Sequence, residues 1–360
     1  MSAAADAQAP RHGGPEARGD WPSVAIIILN WNSWADTLEC LESVLRLRYP
    51  IFAVFLCDNA STDGSAGRFR QWAEGTLCVL PGRREMAGHV VPPAPKPSGR
   101  SELADVEAKG SVLVGDPRVT LIENAGNIGF AAGNNVGVRA ALAQGFDRVW
   151  LLNADTVVEP DALSEMVKRM RDVHAAGLCG SLLCYYDAPD VIQEAGGCAY
   201  YPLLGLARRL AAHRRRTDRL NWRAIEARLG YISGASCLAS RAFLEEVGLL
   251  SEDYFLYCEE IDWATRGRGR FSLALAERSI VFHKKGQATG SKAFGTPRSP
   301  ASTYYLWRAR RRFTQRYYPV GLVALFGFGA GLSLVHFVGG RSDLARALMA
   351  GLRDRAWVGE

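Results

Sequence analysis

No two of the eight cysteines (Cys40, Cys57, Cys78, Cys179, Cys184, Cys198, Cys237, Cys258) stand at Cys-x-x-Cys spacing, and no secretory signal precedes the first apolar run. Most of them sit in apolar segments, so the expectation is buried, reduced thiols in a cytoplasmic protein, not a disulfide or zinc framework. The turn after the first predicted strand lacks Gly-x-Gly-x-x-Gly, which removes the support for a dinucleotide oxidoreductase. It also lacks a Gly-rich phosphate loop with basic residues, as a nucleotidyltransferase would show. Long hydrophobic runs are scarce; Val320 to Val338, 19 residues without a formal charge, approaches bilayer length. The net charge is only +6, and Arg dominates it in clusters at 208–228 and 298–316. That is a basic face on a nearly balanced protein, suited to anionic headgroups, phosphates or nucleic acid.

What is present is an ordinary globular composition: 360 residues, 48% hydrophobic and 22% charged, enough for one large domain or two. Residues 1–20, rich in Ala, Gly and Pro, read as a disordered lead, 21–300 as an α/β domain and 301–360 as a helical tail. Val24 to Leu29 is a continuous apolar run, the pattern of a buried parallel strand, and ends in Asn30-Trp31-Asn32. A helix is predicted from Ser33 to Leu47, with Leu38, Leu41, Val44 and Leu45 at helical spacing and Tyr49-Pro50 as the stop. The second strand, Ile51 to Cys57, ends in Asp58-Asn59-Ala60-Ser61-Thr62-Asp63-Gly64. Leu80 to Pro117, with Pro92-Pro93, Pro95 and Pro97, reads as an insertion loop at about 81–117. Val119 to Ile122 resumes the sheet and leads into a run of Gly and amides, Glu123 to Asn135, that opens a helix to about Gln144. A strand at Val149 to Leu152 then ends in Asn153-Ala154-Asp155, followed by a helix at Pro160 to Val173 and a strand at Leu178 to Cys184.

In open α/β sheets ligands bind beyond the carboxyl ends of the strands. Three successive strand ends, carrying Asn30 and Asn32, Asp58, and Asn153 and Asp155, therefore point to one crevice. Turn chemistry is the competing reading, since Asp58, Asn59 and Asp63 are ordinary turn residues and Asp155 is placed to cap the next helix. Further on, Leu206 to Leu229 carries Arg208, Arg209, Arg214, Arg215, Arg216, Arg219, Arg223 and Arg228, which predicts a basic amphipathic helix, solvated or against a membrane surface. Glu259, Glu260 and Asp262 crowd three carboxylates into four residues, a repulsion that a metal, a cation or a raised pKa relieves; plain surface acidity is the alternative. A short strand at Ser279 to Phe282 ends in His283-Lys284-Lys285-Gly286, suited to a phosphate or metal contact.

Four blocks carry a resemblance: Ile28-Leu29-Asn30-Trp31-Asn32, Asp58 to Ser65, Asn127 to Asn134, and Leu152-Asn153-Ala154-Asp155. With Ser233-Gly234-Ala235, the Glu259 to Asp262 block and His283, they make the chain from Val24 to Glu360 resemble family 2 glycosyltransferases of the GT-A fold, in the branch that includes bacterial rhamnosyltransferases. The resemblance implies a Rossmann-like, mostly parallel sheet flanked by helices, with C-terminal membrane-associated helices. It implies that Asn30, Asn32, Asp58, Asn127, Gly129, Asn134 and Asn153 line a nucleotide-sugar pocket, with Asp58 gripping the base. Asp155 and His283 then bind Mg²⁺ or Mn²⁺, Asn153 replacing a first Asp. Glu260 falls on the family's base Asp in a pair that reads Glu-Glu here, so Glu260 and Glu259 are both candidate bases. Tyr304-Tyr305-Leu306-Trp307-Arg308 matches a family segment in which Ala309 replaces an Asn.

The implied activity is inverting transfer of a sugar, with dTDP-rhamnose the suggested donor, to a glycan or lipid-linked acceptor in cell-surface polysaccharide synthesis. The implied place is the cytoplasmic face of a bacterial cell membrane, with no nucleic acid partner. A catalytically silent glycan-binding scaffold of the same fold and a sugar nucleotidyltransferase are the rivals; intact Asp155, Glu260 and His283 speak against the first. Residues 320–338 admit three placements: spanning, in the membrane plane, or buried. Gly321, Gly327, Gly329, Gly331, Ser333 and His336, with positive residues on both flanks, give no clear topology, and membrane association of some kind is favoured.

Overall fold

The computed structural model describes residues 20–96, 100–104 (backbone only), 119–284 and 298–357. In chain order the first elements are β1 (Val24–Asn30), α1 (Trp34–Val44), β2 (Phe52–Asp58), α2 (Ser65–Ala73), α3 (Ala87–Val90), β3 (Arg100–Ala104), β4 (Val119–Glu123), α4 (Phe130–Ala143), β5 (Arg148–Asn153), β6 (Thr156–Val158) and α5 (Ala162–Asp172). There follow β7 (Ala176–Tyr185), β8 (Ala188–Ala195), β9 (Gly197–Tyr201), β10 (Leu206–Arg209), α6 (Trp222–Glu226), β11 (Tyr231–Ile232), β12 (Ser236–Ser240), α7 (Arg241–Val247), α8 (Glu259–Gly267), β13 (Ser272–His283), α9 (Pro300–Tyr317), α10 (Leu322–Val338) and α11 (Ser342–Leu352).

A ten-stranded sheet in the order β3-β4-β2-β1-β5-β12-β7-β13-β6, with β8 on β7, forms the centre. Its first half is parallel, as the apolar runs predict; β12 then enters antiparallel between β5 and β7. Both faces are covered, which is why β1 is apolar at every position up to Asn30. Val24, Ile26 and Ile28 pack toward α1, α2 and α5 through Leu38, Leu41, Phe69, Trp72 and Met166. Ala25 and Ile27 pack toward α4, α7 and α8 through Val138, Phe243 and Trp263. Each fully buried Ile contributes about 1.5–3 kcal/mol. Because β1, β2 and β5 run parallel and side by side, Asn30, Asp58 and Asn153 leave the sheet at one edge.

Two expectations are corrected. Leu206 to Leu229 is not a helix: Leu206–Arg209 pairs antiparallel with β9, and only Trp222–Glu226 is helical. Asp218 accepts from the Arg215 N–H at 3.1 Å and from Arg214 Nε at 2.8 Å, and Asn221 accepts from the Ala224 N–H at 3.0 Å. Such side chains offer the backbone turns and caps in place of a continuous helix. The region 81–117 is also not all loop. Val79, Met86, Val90 and Ala94 are buried, and Glu42 of α1 accepts the Ala94 N–H at 2.7 Å, so the first part of the insertion packs on the core. Residues 105–118, like the lead 1–19, lie outside the described residues. The thiol expectation agrees with the structure in that all eight cysteines are free, and six are buried; Cys78 is exposed and Cys258 intermediate.

Candidate active site

Asn30 ends β1 fully buried, and its amide is committed inside the protein. Its Nδ2 donates to Asp58 Oδ1 at 2.6 Å and to Ser61 Oγ at 2.9 Å, and its Oδ1 accepts from Thr37 at 2.8 Å. Asp58 in turn accepts from the Ser61 N–H at 3.0 Å and the Ser61 hydroxyl at 2.7 Å. Asn30 is thus the bracket that holds Asp58 in place. Asn32, exposed and at φ 51°, accepts from the Thr62 N–H at 2.7 Å and ties the ends of β1 and β2 together. Such a left-handed turn is tolerable for Asn and lets the chain reverse out of the strand.

The second cluster is organised by Asn59, which the sequence places in the Asp58 to Ser65 block without a role of its own. It is buried, donating to Asn127 Oδ1 at 2.9 Å and the Gly129 carbonyl at 3.2 Å while accepting from Asn124 at 3.1 Å. Gly129 sits at φ 87°, and a Cβ there would stand 2.6 Å from the Phe255 carbonyl, so no other residue fits. Asn134 is buried and caps back onto the Phe130 carbonyl at 2.9 Å; its role is to hold the first turn of α4. The Phe130 N–H donates to the Phe255 carbonyl at 2.9 Å, which joins this loop to the segment that carries the acidic block.

Asp155 does not cap a helix. Its Oδ1 lies 3.2 Å from His283 Nε2, both side chains being about nine-tenths buried. On the far side of the ring, His283 Nδ1 is 2.7 Å from Oε1 of Gln193 on β8. The imidazole is thus held between Gln193 on one nitrogen and Asp155 on the other. Gln193 and β8 were missed in the sequence. The signal was a short alternation, Val191 to Ala195, with an amide and a carboxylate beside the apolar Ile192. Lys284 is also accounted for: its N–H bonds the Asp155 carbonyl at 2.9 Å, and its ammonium is held by Asp36 at 2.6 Å and by Glu39.

Among the described residues no group of three or more His, Cys, Asp and Glu side chains could enclose a metal. Asp155 and His283 nevertheless suit a two-ligand site. A hard cation such as Mg²⁺ or Mn²⁺ commonly takes one or two protein ligands and completes its shell with substrate phosphates and water. Were His283 a ligand, the contact from Gln193 would orient it from behind, the usual second-layer arrangement.

The carboxylates of α8 are presented by two successive non-Gly residues at positive φ, Tyr257 (72°) and Cys258 (68°). Strain of this kind persists only where the surroundings hold it; Tyr257 Oη is 2.6 Å from Ser302 Oγ of α9. Glu259 is buried, with Oε2 lacking any partner, and burial followed by the charge of Glu260 pushes its pKa well up. Glu260 is half-buried; Oε1 accepts the Gly234 N–H at 3.2 Å, and burial again raises its pKa. Glu194 adds to that rise, its own Oε1 accepting from the Ser233 hydroxyl at 2.7 Å. Next to Gly234, the Ala235 carbonyl accepts the Asn153 N–H at 3.1 Å. The end of β5 and the Glu260 carboxylate are therefore joined through Gly234-Ala235. Glu260 faces this crossing, whereas Glu259 is shut in the interior.

A mostly parallel sheet whose strands end in polar side chains at one edge is the frame of many nucleotide-binding α/β proteins. The chain belongs to glycosyl transferase family 2, whose model matches residues 25–88 and 100–248, more than half of it. A curated relative is the low-salt glycan biosynthesis hexosyltransferase Agl10 of Haloferax volcanii, 23% identical over 161 residues, 44% of this chain and 49% of that protein. The match thus spans about half the relative's length. Among solved structures, GalNAc-T7 with UDP, GalNAc and Mn²⁺ is similar at a TM-score of 0.52 and 11% identity, over 82% of this chain and 48% of that one. The mannosyltransferase PcManGT of Pyrobaculum calidifontis, in complex with GDP-Man and Mn²⁺, is similar at 0.46 and 16% identity, over 94% and 88%. The fold is that of GT-A glycosyltransferases, a curled central sheet flanked by helices, as expected.

Proposed function

We propose that the chain is an inverting, metal-dependent hexosyltransferase that moves a sugar from a nucleoside diphosphate donor to the hydroxyl of a glycan or lipid-linked acceptor at a membrane surface. The observation that carries this reading is the connected geometry at one sheet edge: Asp155 against His283, and Glu260 tied through Gly234-Ala235 to the end of β5. The Asn30–Asp58–Ser61 and Asn59–Asn127–Gly129 brackets form the walls in which a nucleoside sits. Asp155 and His283 would hold the divalent cation, which when bound supplies Lewis-acid neutralisation of the leaving diphosphate. Glu260 takes the acceptor proton as the hydroxyl attacks the anomeric carbon from the face opposite the diphosphate, and one such displacement inverts its configuration. General-base catalysis of this kind is worth about 10²–10⁴ in rate. A carboxylate raised by burial is the stronger base, and Glu260 is the member of the Glu-Glu pair placed to meet solvent and acceptor.

The test is a donor panel of dTDP-rhamnose, UDP- and GDP-sugars with Mn²⁺ or Mg²⁺, reading released nucleoside diphosphate beside an Asp155→Ala control. Release from one donor that disappears in the control is the expected result. Saturable donor binding without release, with a soluble acceptor present, would favour a silent scaffold, and retained anomeric configuration by NMR would remove the single-displacement mechanism.

A further inference from the structure

The 20-residue segment Pro319–Val338 is long and apolar enough to cross a membrane. Helix α10 buries only Leu325 and Gly329, against Trp307 of α9 and Leu352 of α11. Val323, Leu334, Val335, Phe337 and Val338 are each at least 61% exposed. Beside its start lies the β9–β10 hairpin. A Cβ on Gly321 would stand 3.1 Å from the Pro202 carbonyl and 3.4 Å from that of Leu203. Leu203 and Leu204 at the hairpin tip are 66% and 52% exposed, and Val320 next to them 80%. Hairpin tip and helix thus present one apolar surface, far more than the scattered exposed side chains of an ordinary face.

We propose that this surface is a monotopic anchor: α10 lies in the plane of an anionic bilayer, with the Tyr201–Leu204 tip inserted beside its N-terminus. The inference deepens the membrane-surface part of the proposed function and rests on it. Spanning is excluded by what α10 packs on. Trp307, near the middle of α9, meets Gly329, near the middle of α10, so the two helices lie side by side. Arg308, Arg310, Arg311 and Arg312 of α9 are then level with the centre of α10, and three of them gather on Asp354. Helix α9 is fixed to the catalytic domain through Ser302 on Tyr257 and Phe313 on Tyr200. A crossing α10 would drag these charges, and the domain, into hydrocarbon that holds neither.

Charge selects the occupant. Of the ten Arg in residues 298–357, Arg308, Arg311, Arg312 and Arg316 are paired with Asp354, Asp253 or Asp262, and the excess rests on Arg341, Arg346, Arg353 and Arg355, all exposed around α11. Such an excess is drawn to anionic headgroups, whereas a second copy of the chain would bring the same positive charge to the same face.

The experiment is flotation of the full chain with vesicles of phosphatidylcholine alone or mixed with phosphatidylglycerol. Leu203→Glu/Leu204→Glu and Val323→Glu are run alongside, with circular dichroism confirming that each folds. The expectation is binding to the mixed vesicles, at least tenfold weaker partitioning for both variants, and a C-terminal tag fully open to protease added outside. A protected tag on floating protein would mean that α10 spans, and overturn the in-plane arrangement. Undiminished flotation of the hairpin variant would remove the tip from the anchor. A dimer in light scattering that the variants dissolve, without flotation, would assign the surface to a second copy. Absence of flotation by wild type at low salt would refute membrane docking itself, while donor turnover in vesicle-free solution tests the catalytic reading separately.

Discussion

Gly234→Ala is the substitution that most directly separates Glu260 from Glu259 as the base. A methyl at this position overlaps Glu260 Oε1 and stands 3.1 Å from Cδ and 3.2 Å from Cγ. Optimal carbon contacts are about 3.5–4.0 Å, so the carboxylate must swing away by roughly half an ångström or more. Gly234 has an ordinary φ, and the obstructing atoms are the far end of a flexible, half-buried side chain, so the stability loss should sit at the low end of the roughly 1–3 kcal/mol typical of overpacking. Displacement of a reacting group by about 1 Å costs on the order of 10² in rate. The expectation is a kcat lowered about 100-fold, donor KM changed little, and Tm lowered by a few degrees. Steady-state kinetics with calorimetry measures all three, and Glu260→Gln serves as the limit of complete base loss. A Gly234→Ala enzyme with unchanged kcat, together with a Glu259→Gln enzyme that has lost it, would refute the assignment of Glu260. The pH profile supplies a second readout. The base must be ionised and burial raises its pKa, so kcat/KM should climb with pH along an acid limb lying above the ordinary Glu value of about 4.3.

Gln193→Leu keeps β8 apolar but releases His283, and should weaken Mn²⁺ binding to the donor-free protein about 10–100-fold, as read by electron paramagnetic resonance of free Mn²⁺; unchanged affinity would remove Gln193 from the site. Lys284→Met leaves the nearly buried Glu39 without its cation and should cost about 3–5 kcal/mol of stability in urea. The buried Glu259 binds its proton more tightly in the folded than in the unfolded chain. Its contribution is therefore fully present below the ordinary Glu pKa and is lost as pH rises through the elevated folded value; Glu259→Gln should flatten that fall in the urea midpoint. In thiol titration of the folded protein, Cys78 should react fast and alone, because burial pushes Cys40, Cys57, Cys179 and Cys184 up to about 12.

In the parallel half of the sheet β1, β2, β4 and β5 were legible because they are apolar runs that end abruptly in polar residues, whereas β3, Arg100–Ala104, has no such run and fell within the stretch read as an insertion loop. A run such as Val24–Asn30 has no other stable place. The strands from β6 to β11 were mostly not legible. They are short or pair antiparallel, and Thr156–Val158 is three residues long and takes its meaning from pairing with β13. The Arg-rich stretch misled because charge density was read as helix periodicity, while Asp218 and Asn221, which break the helix, looked like ordinary surface residues. Candidates for the chemistry were easier to name from the sequence than the residues that contact them. Asp155, His283 and Glu260 stand in recognisable blocks, whereas Gln193, Glu194 and Asn59 act through contacts 90, 39 and 68 residues away in sequence.

The same distances explain why the site tolerates so much unfavourable charge. Glu259, with an oxygen lacking any partner, Glu260 close by, and two left-handed residues ahead of them are each destabilising alone. They persist because α8 is held from several sides. Trp263 packs edge-on against Phe243 at 5.3 Å, and Asp262 collects Arg266 at 2.7 Å and Tyr317 at 2.8 Å. Tyr317 belongs to α9, the helix that also supports α10. The element that fixes the proposed base is therefore the one that carries the proposed membrane surface, so an enzyme seated by α10 would present Glu260 at a fixed height above the headgroups. Under the proposed function, an acceptor hydroxyl carried on a membrane lipid would be met at that height, whereas a soluble acceptor would gain nothing from the arrangement.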